Sequence, residues 1–145
     1  MDTHVLEYIP DEDLRIFKNI RLVGDKLPNH DSGNPRLKDY KIKNMLSCHL
    51  LAKALEHFFP VRAESGFIYD KWEHSWLITR GGFVIDVYPI ALFGGPVIVD
   101  ASECSPWSRF YNQRFSFKEH KEKKFLEEVE KIKISIAVIL HGLHR

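Results

Sequence analysis

The sequence predicts an α+β fold in which helices pack on an antiparallel β-sheet. Helical patterns lie near both ends of the chain and around residue 50, whereas strand-like segments follow one another between Val61 and Val99. Consecutive strands joined by short turns pair antiparallel, and helices segregated from the strands are typical of the α+β class. The 145 residues contain no internal repeat and no linker. Residues 1–145 are therefore predicted to form a single domain.

The first half of the chain is predicted to contain two helices separated by a long loop. Three acidic residues follow Pro10, and the positive end of a helix dipole favours them, so the first helix begins there. Residues 24–36 are mostly turn formers and predict a surface loop. The second helix runs from about Asn44 to about Phe58, and Pro60 ends it. Its apolar face has helical spacing and consists of Cys48, Leu51, Ala52, Leu55 and Phe59.

Four strands, an aromatic loop and a final helix are predicted in the second half. The strands are expected at Val61 to Tyr69, Trp72 to Thr79, Phe83 to Tyr88 and Pro96 to Val99. The aromatic loop contains Trp107, Arg109, Phe110 and Tyr111, which either cover the sheet or rim a substrate groove. The helix is expected from Phe117 to about Leu140, with an apolar face typical of a packing helix.

The composition argues against several classes of partner. With 21 basic and 20 acidic residues the formal charge is +1, so bulk electrostatics favours neither nucleic acid nor an acidic membrane. The start of the chain lacks the pattern of a signal peptide, and the apolar stretch from Ile134 to Leu140 is too short to span a bilayer. Two cysteines, Cys48 and Cys104, cannot make a disulfide framework. A reducing, cytoplasmic setting with free thiols is the simplest expectation.

Three residues in consecutive elements carry a possible catalytic chemistry: Cys48 near a helix start, His74 in one strand and Asp86 in the next. An imidazole can take the proton of a thiol, and a carboxylate can orient the imidazole and stabilise its cation. Each residue also has a structural interpretation. Cys48 lies on the apolar stripe of its helix, His74 shares a strand face with large apolar side chains, and Asp86 could face water from an edge strand.

The turn between the two strands decides whether His74 and Asp86 meet. If Arg80, Gly81 and Gly82 form a three-residue loop with Gly82 in the left-handed region, Thr79 pairs with Phe83. Asp86 then lies opposite Trp76 and diagonal to His74 on the same face, and His74 lies opposite Tyr88. A two-residue turn at Gly81 and Gly82 would place Asp86 on the other face. We predict the three-residue loop, because it gives both polar residues a partner.

The order of these motifs resembles the transglutaminase-like and papain-like cysteine superfamily. The matching positions are Cys48 at the start of a helix, His74 with Trp76 in a His-x-Trp motif, and Asp86 in the next strand, over roughly residues 40 to 90. The resemblance implies a papain-like or transglutaminase-like fold with a Cys-His-Asp triad, in which the cysteine N–H contributes to an oxyanion hole. The spacings are shorter than the commoner patterns, and Ser47 stands where the cell-wall amidase branch has an aspartate.

The resemblance implies a thiol protease, peptidase or amidase that acts on a peptide, a protein or a small amide without a cofactor. A transamidase or glutamine deamidase of the same superfamily, or a binding domain that retains the fold without catalysis, are the alternatives. Asn44, Trp76 and Trp107 are weaker candidates for the oxyanion hole or for substrate binding. Zinc bound by Cys48, His74 and Asp86 is a minor alternative, because the spacing matches no common zinc motif.

Overall fold

The computed structural model describes residues 4–5, 8–27, 47–68, 72–87, 96–102, 104–111 and 113–144. In chain order the elements are β1 (His4–Val5), α1 (Asp11–Lys26), α2 (Cys48–Leu55), β2 (Val61–Ile68), β3 (Trp72–Thr79), β4 (Phe83–Asp86), β5 (Val97–Asp100), α3 (Ser108–Tyr111), β6 (Gln113–Arg114), a 3₁₀ helix (Lys118–Lys121) and α4 (Lys123–Leu143). The α+β class is confirmed.

The strands form one sheet in the order β1-β5-β4-β3-β2-β6. The four longer strands β2 to β5 follow one another antiparallel, as predicted. The short strand β6 joins the β2 edge antiparallel, and β1 joins the β5 edge parallel. Neither two-residue edge strand is predicted from the sequence, because so short a segment has no hydrophobic periodicity.

Two hydrophobic cores lie on the two faces of the sheet. On the first face, which we call the helix face, Leu77, Ile85 and Ile98 pack with side chains of α1, α2 and α4. On the second face, Trp76, Ile78, Val84, Val97 and Val99 pack with Phe110 and Tyr111 of the short helix α3. Because side chains alternate along a strand, neighbouring residues such as Trp76 and Leu77 enter different cores.

Three predicted boundaries are wrong at helix ends. Helix α1 continues through Gly24 to Lys26, where a loop is predicted, and α2 ends at Leu55 rather than near Phe58. After Leu55 the hydrogen bonding includes the i→i+3 pattern of a 3₁₀ turn, in which the Phe58 N–H donates to the Leu55 carbonyl at 3.0 Å. Pro60 then prevents the helix from continuing. The last helix is also divided, since the 3₁₀ helix precedes α4. None of the described helices has both the length and the apolar composition needed to cross a membrane.

Candidate active site

The β3–β4 turn has the predicted three-residue form. Gly82 adopts a φ of 86°, in the left-handed region that favours glycine. Its N–H donates to the Thr79 carbonyl at 3.0 Å, and the Phe83 N–H donates to Thr79 Oγ1 at 3.1 Å. Leu77 pairs with Ile85 and Ile78 with Val84. Continuation of this register places Asp86 opposite Trp76, as predicted, whereas Tyr88 lies outside the described residues.

This register brings His74 and Asp86 together on the second face. His74 Nε2 and Asp86 Oδ2 are 2.7 Å apart, and the two residues are only 7% and 1% exposed. Asp86 does not face water from an edge strand, because β4 lies between β3 and β5. A buried carboxylate is costly without a partner, and a hydrogen-bonded imidazole removes that cost.

Tyr111 is a second partner of the same carboxylate oxygen. Its hydroxyl donates to Asp86 Oδ2 at 2.9 Å, and its ring packs edge-on against Trp76 at a centroid distance of 5.4 Å. The sequence places Tyr111 only in an aromatic loop, so this role was not predicted. Two donors from different elements fix the carboxylate against the imidazole.

The environment of His74 favours its protonated form. Burial alone disfavours the charged ring, but the charge and hydrogen bond of Asp86, together with a hydrogen bond and charge from Cys48, raise the pKa of His74 well above its usual 6.5. Since Nε2 faces Asp86, the other ring nitrogen is left for the thiol. The cysteine and the carboxylate therefore both influence the pKa of the same imidazole.

Cys48 is the first residue of α2, and its side chain is half-buried. Ser47 occupies the N-cap without a side-chain capping hydrogen bond. The first helical hydrogen bond runs from the Leu51 N–H to the Ser47 carbonyl at 3.0 Å, so the Cys48 N–H precedes it. The first turn of α2 therefore presents N–H groups that have no partner within the helix.

Cys48 lies beside Asp86, at the point where the pairing of β3 and β4 ends. Helix α2 packs on the helix face with Leu77 and Ile85, where the pairing of the two strands ends. A cavity of about 10 Å³ at this point is lined from both faces, by Cys48 and Leu77 as well as by Asp86. The end of the β3–β4 pair therefore places Cys48, which comes from the helix face, next to Asp86, which comes from the second face.

The weaker predicted residues divide into three cases. Trp76 is 1% exposed and lines the small cavity beside Cys48, and its indole N–H finds no acceptor in the part of the chain that the structure describes. Trp107 packs, half-buried, against the second core with its ring 5.7 Å from that of Phe110. This contact matches the interpretation in which the loop covers the sheet. Asn44 lies outside the described residues, and Cys104 is exposed.

A second polar cluster, on the helix face, is absent from the sequence-based predictions. His49 Nδ1 lies 2.6 Å from Ser75 Oγ, and Ser75 Oγ lies 2.7 Å from Ser65 Oγ. Burial, followed by the charges of His120 and His74, lowers the pKa of His49 to about 4, so its ring is neutral at pH 7. The available signal was strand alternation, which places Ser65 and Ser75 opposite one another on a face otherwise lined by Ala63 and Leu77.

Within the described ranges, no group of three or more His, Cys, Asp or Glu side chains is arranged to hold a metal ion. Compared with known proteins, the chain matches no protein-family model, no curated protein and no solved structure.

Proposed function

We propose that the protein is a cysteine-nucleophile acyl-transfer enzyme of the transglutaminase-like or papain-like kind, acting on an amide bond through Cys48, His74 and Asp86. One observation carries the proposal: a single buried imidazole lies 2.7 Å from a buried carboxylate, and Cys48 is near enough to contribute to the raised pKa of the same imidazole. A base placed in this way can accept the thiol proton and remain stable as a cation.

In the proposed mechanism His74 holds the proton of the Cys48 thiol, and the thiolate attacks the substrate carbonyl carbon. A C–S bond forms, and the carbonyl electron pair moves to oxygen. When the intermediate collapses, the C–N bond breaks and His74 gives its proton to the leaving amine. Water, deprotonated by His74, then attacks the thioester, releasing the carboxylic acid and regenerating the thiol. Asp86 orients His74 and stabilises its charge throughout.

Two N–H groups are suited to stabilise the oxyanion of this intermediate. The Cys48 N–H precedes the first hydrogen bond of α2. The Trp76 indole N–H is buried without an acceptor among the described residues, and Trp76 lines the small cavity next to Cys48. A buried donor without a partner is uncommon and costs free energy, so a ligand oxygen that accepts from it would bind favourably.

The substrate class is a peptide, a protein or a small amide, and hydrolysis is the proposed outcome. An amine in place of water would give transamidation, and attack on a glutamine side chain followed by water would give deamidation. Cys48 and Cys104 are both free thiols, which supports a reducing, cytoplasmic setting for the proposed nucleophile.

Acyl-enzyme trapping tests the proposal with p-nitrophenyl acetate, an activated ester whose leaving group is coloured. We expect a burst of nitrophenolate and one acetyl group on Cys48, located by peptide mass spectrometry, because the acyl-enzyme accumulates before water attacks it. Cys48→Ala should abolish the burst, whereas Cys104→Ala should leave it unchanged. A library of acyl p-nitroanilides then tests cleavage of the amide bond.

Two results would contradict an acyl-transfer function. If acetylation occurs equally on Cys48 and the exposed Cys104, the candidate site gives the thiol no special reactivity. If Cys48 is acetylated but neither amides nor esters turn over, the alternative of a binding domain that retains the fold is favoured. Trp76→Phe should lower turnover without changing the site of acetylation, since it removes the indole N–H together with the five-membered ring that carries it.

A further inference from the structure

A second cavity lies at the β2–β6 edge of the sheet, away from the His74–Asp86 pair. It is lined from both faces, since Ser65 and Ser75 alternate onto the helix face, whereas Arg62, Glu64 and Arg114 alternate onto the other. It has a volume of about 630 Å³ and lies between α2, the β2–β3 hairpin and the segment that leads into α4. This volume is in the range of small-molecule sites, about 300–1,000 Å³. His49, Ser65 and Ser75 form its polar floor, and none of them belongs to the proposed triad.

The floor presents hydrogen-bonding groups that its internal contacts do not use up. Two hydrogen bonds, of 2.6 and 2.7 Å, connect His49, Ser75 and Ser65. Each hydroxyl supplies one proton and two lone pairs, and a neutral imidazole supplies one donor and one acceptor. His49 uses Nδ1 for Ser75, and its Nε2 makes no hydrogen bond within the described segments. The floor can therefore donate to an oxygen of a ligand.

The charges around the cavity favour an anion. Among the described residues, its lining includes four cationic side chains and one carboxylate, Glu64, and one of the cations, Lys53, is already paired with Glu56 at 2.8 Å. The cationic side chains are Lys53, Arg62, Arg114 and Lys121. Glu64 is shared by Arg62 and Arg114, at 2.6 and 2.8 Å, so it cannot neutralise both. Arginine forks and lysine ammonium groups bind carboxylates and phosphates through charge-assisted hydrogen bonds.

The remaining wall is apolar and partly exposed. Phe115 and Leu126 line the cavity although they are 56% and 45% exposed. Phe115 packs against Phe67 and Phe117, at centroid distances of 5.8 and 5.3 Å, to form an aromatic platform. Exposed apolar side chains beside a polar floor are typical of a site whose ligand has an apolar body.

We propose that this cavity binds a small organic anion, a carboxylate or phosphate attached to an aromatic or aliphatic body. The anionic group lies against the floor and the cationic side chains, and the apolar body lies against Phe115, Phe117 and Leu126. The proposal does not rest on the acyl-transfer function, because the binding groups do not include Cys48, His74 or Asp86. Binding should therefore persist in Cys48→Ala.

The test is a titration of the full chain, followed by NMR, with four probes: phenylacetate, phenyl phosphate, the neutral isostere phenylacetamide, and acetate. We expect phenylacetate or phenyl phosphate to bind with a Kd below about 1 mM, shifting the amide signals of Ser65 and Ser75. Phenylacetamide and acetate should each bind at least about tenfold more weakly, because one lacks the charge and the other the apolar body. The tighter of the first two probes identifies the preferred anionic group.

Paired charge variants locate the site. Arg114→Gln combined with Lys121→Gln should weaken binding about tenfold. Lys131→Gln combined with Lys133→Gln removes the same charge from α4, outside the cavity, and should leave binding unchanged. The proposal is overturned if neither anionic probe binds, if phenylacetamide binds as tightly as phenylacetate, or if the two variant pairs weaken binding equally. Loss of binding in Cys48→Ala would also overturn it, since the anion would then occupy the triad.

Discussion

The two faces of the sheet each bury a histidine, and the two histidines have opposite acid–base properties. His74 lies on the second face against the carboxylate of Asp86, and its pKa is raised well above 6.5. His49 lies on the helix face against a serine hydroxyl, and its pKa is lowered to about 4. Both rings are mostly buried, so burial alone does not decide the protonation state. The presence of a carboxylate decides it.

This difference suggests a division of roles. A ring that holds a proton beside a thiol is suited to acid–base catalysis, whereas a neutral ring bonded to hydroxyls is suited to binding through hydrogen bonds. The residues involved are chain neighbours, since Cys48 precedes His49 and His74 precedes Ser75. Strand alternation therefore places two chemically different environments back to back within one sheet.

Removal of the carboxylate beside His74 should have the largest effect on stability. We expect Asp86→Ala to lower the free energy of unfolding by about 3–5 kcal/mol, because it removes one partner of a buried ion pair and leaves the imidazole without compensation. Urea unfolding followed by circular dichroism measures this. As a control, Glu128→Ala breaks the exposed ion pair with Lys131 and should cost less than about 1 kcal/mol. Equal losses in the two variants would contradict the assigned role of Asp86.

The pH dependence of stability should distinguish His49 from His74. Between about pH 6.5 and about pH 4 an unfolded histidine binds a proton, whereas folded His49 stays neutral. The unfolded state therefore binds more protons, and stability should fall by about 3 kcal/mol as the pH drops through this range. The raised pKa of His74 acts in the opposite direction, since its contribution is complete below pH 6.5 and is lost as the pH rises through its folded pKa.

Unfolding midpoints measured across this pH range test the predicted loss of stability at acid pH. His49→Gln should make this loss of stability smaller. His57→Gln, at an exposed position, should leave the loss unchanged. If His49→Gln loses as much stability at acid pH as the unmodified protein, His49 does not remain neutral in the folded protein.

A smaller effect is expected for Tyr111→Phe. The change removes the hydroxyl that donates to Asp86 Oδ2 at 2.9 Å but keeps the ring that packs on Trp76. A hydrogen bond to a charged group contributes about 1.5–3 kcal/mol, so thermal or urea unfolding should show a loss in this range. Tyr8→Phe is the matched control, because Tyr8 is 88% exposed. If the two variants are equally stable, Tyr111 does not hold the carboxylate.

Much of the His74–Asp86 geometry could be predicted from local sequence. Period-2 alternation assigns residues to faces, and the Arg80-Gly81-Gly82 turn sets the register, because Gly82 can adopt the left-handed conformation that a three-residue loop requires. The α+β class follows in the same way from the order of helical and strand-like patterns.

The remaining partners could not be predicted because they come from distant parts of the chain. Tyr111 reaches Asp86 across 25 residues, and His49 reaches Ser75 across 26. No periodicity links such positions, and only the packing of α2 and α3 on opposite faces of the sheet brings them together. Adjacent residues of a helix do not share a face, so helical spacing does not link His49 to Cys48 either.

His74 is proposed to activate Cys48, and the exposed Cys104 is a reference thiol within the same chain. Iodoacetamide labelling at about pH 6, below the range near 8.5 in which ordinary thiols ionise, measures both rates in one sample by peptide mass spectrometry. We expect Cys48 to react at least about tenfold faster than Cys104, and His74→Ala to slow Cys48 alone. Labelling of Cys104 at an equal or higher rate, or a Cys48 rate unchanged by His74→Ala, would contradict the proposed triad.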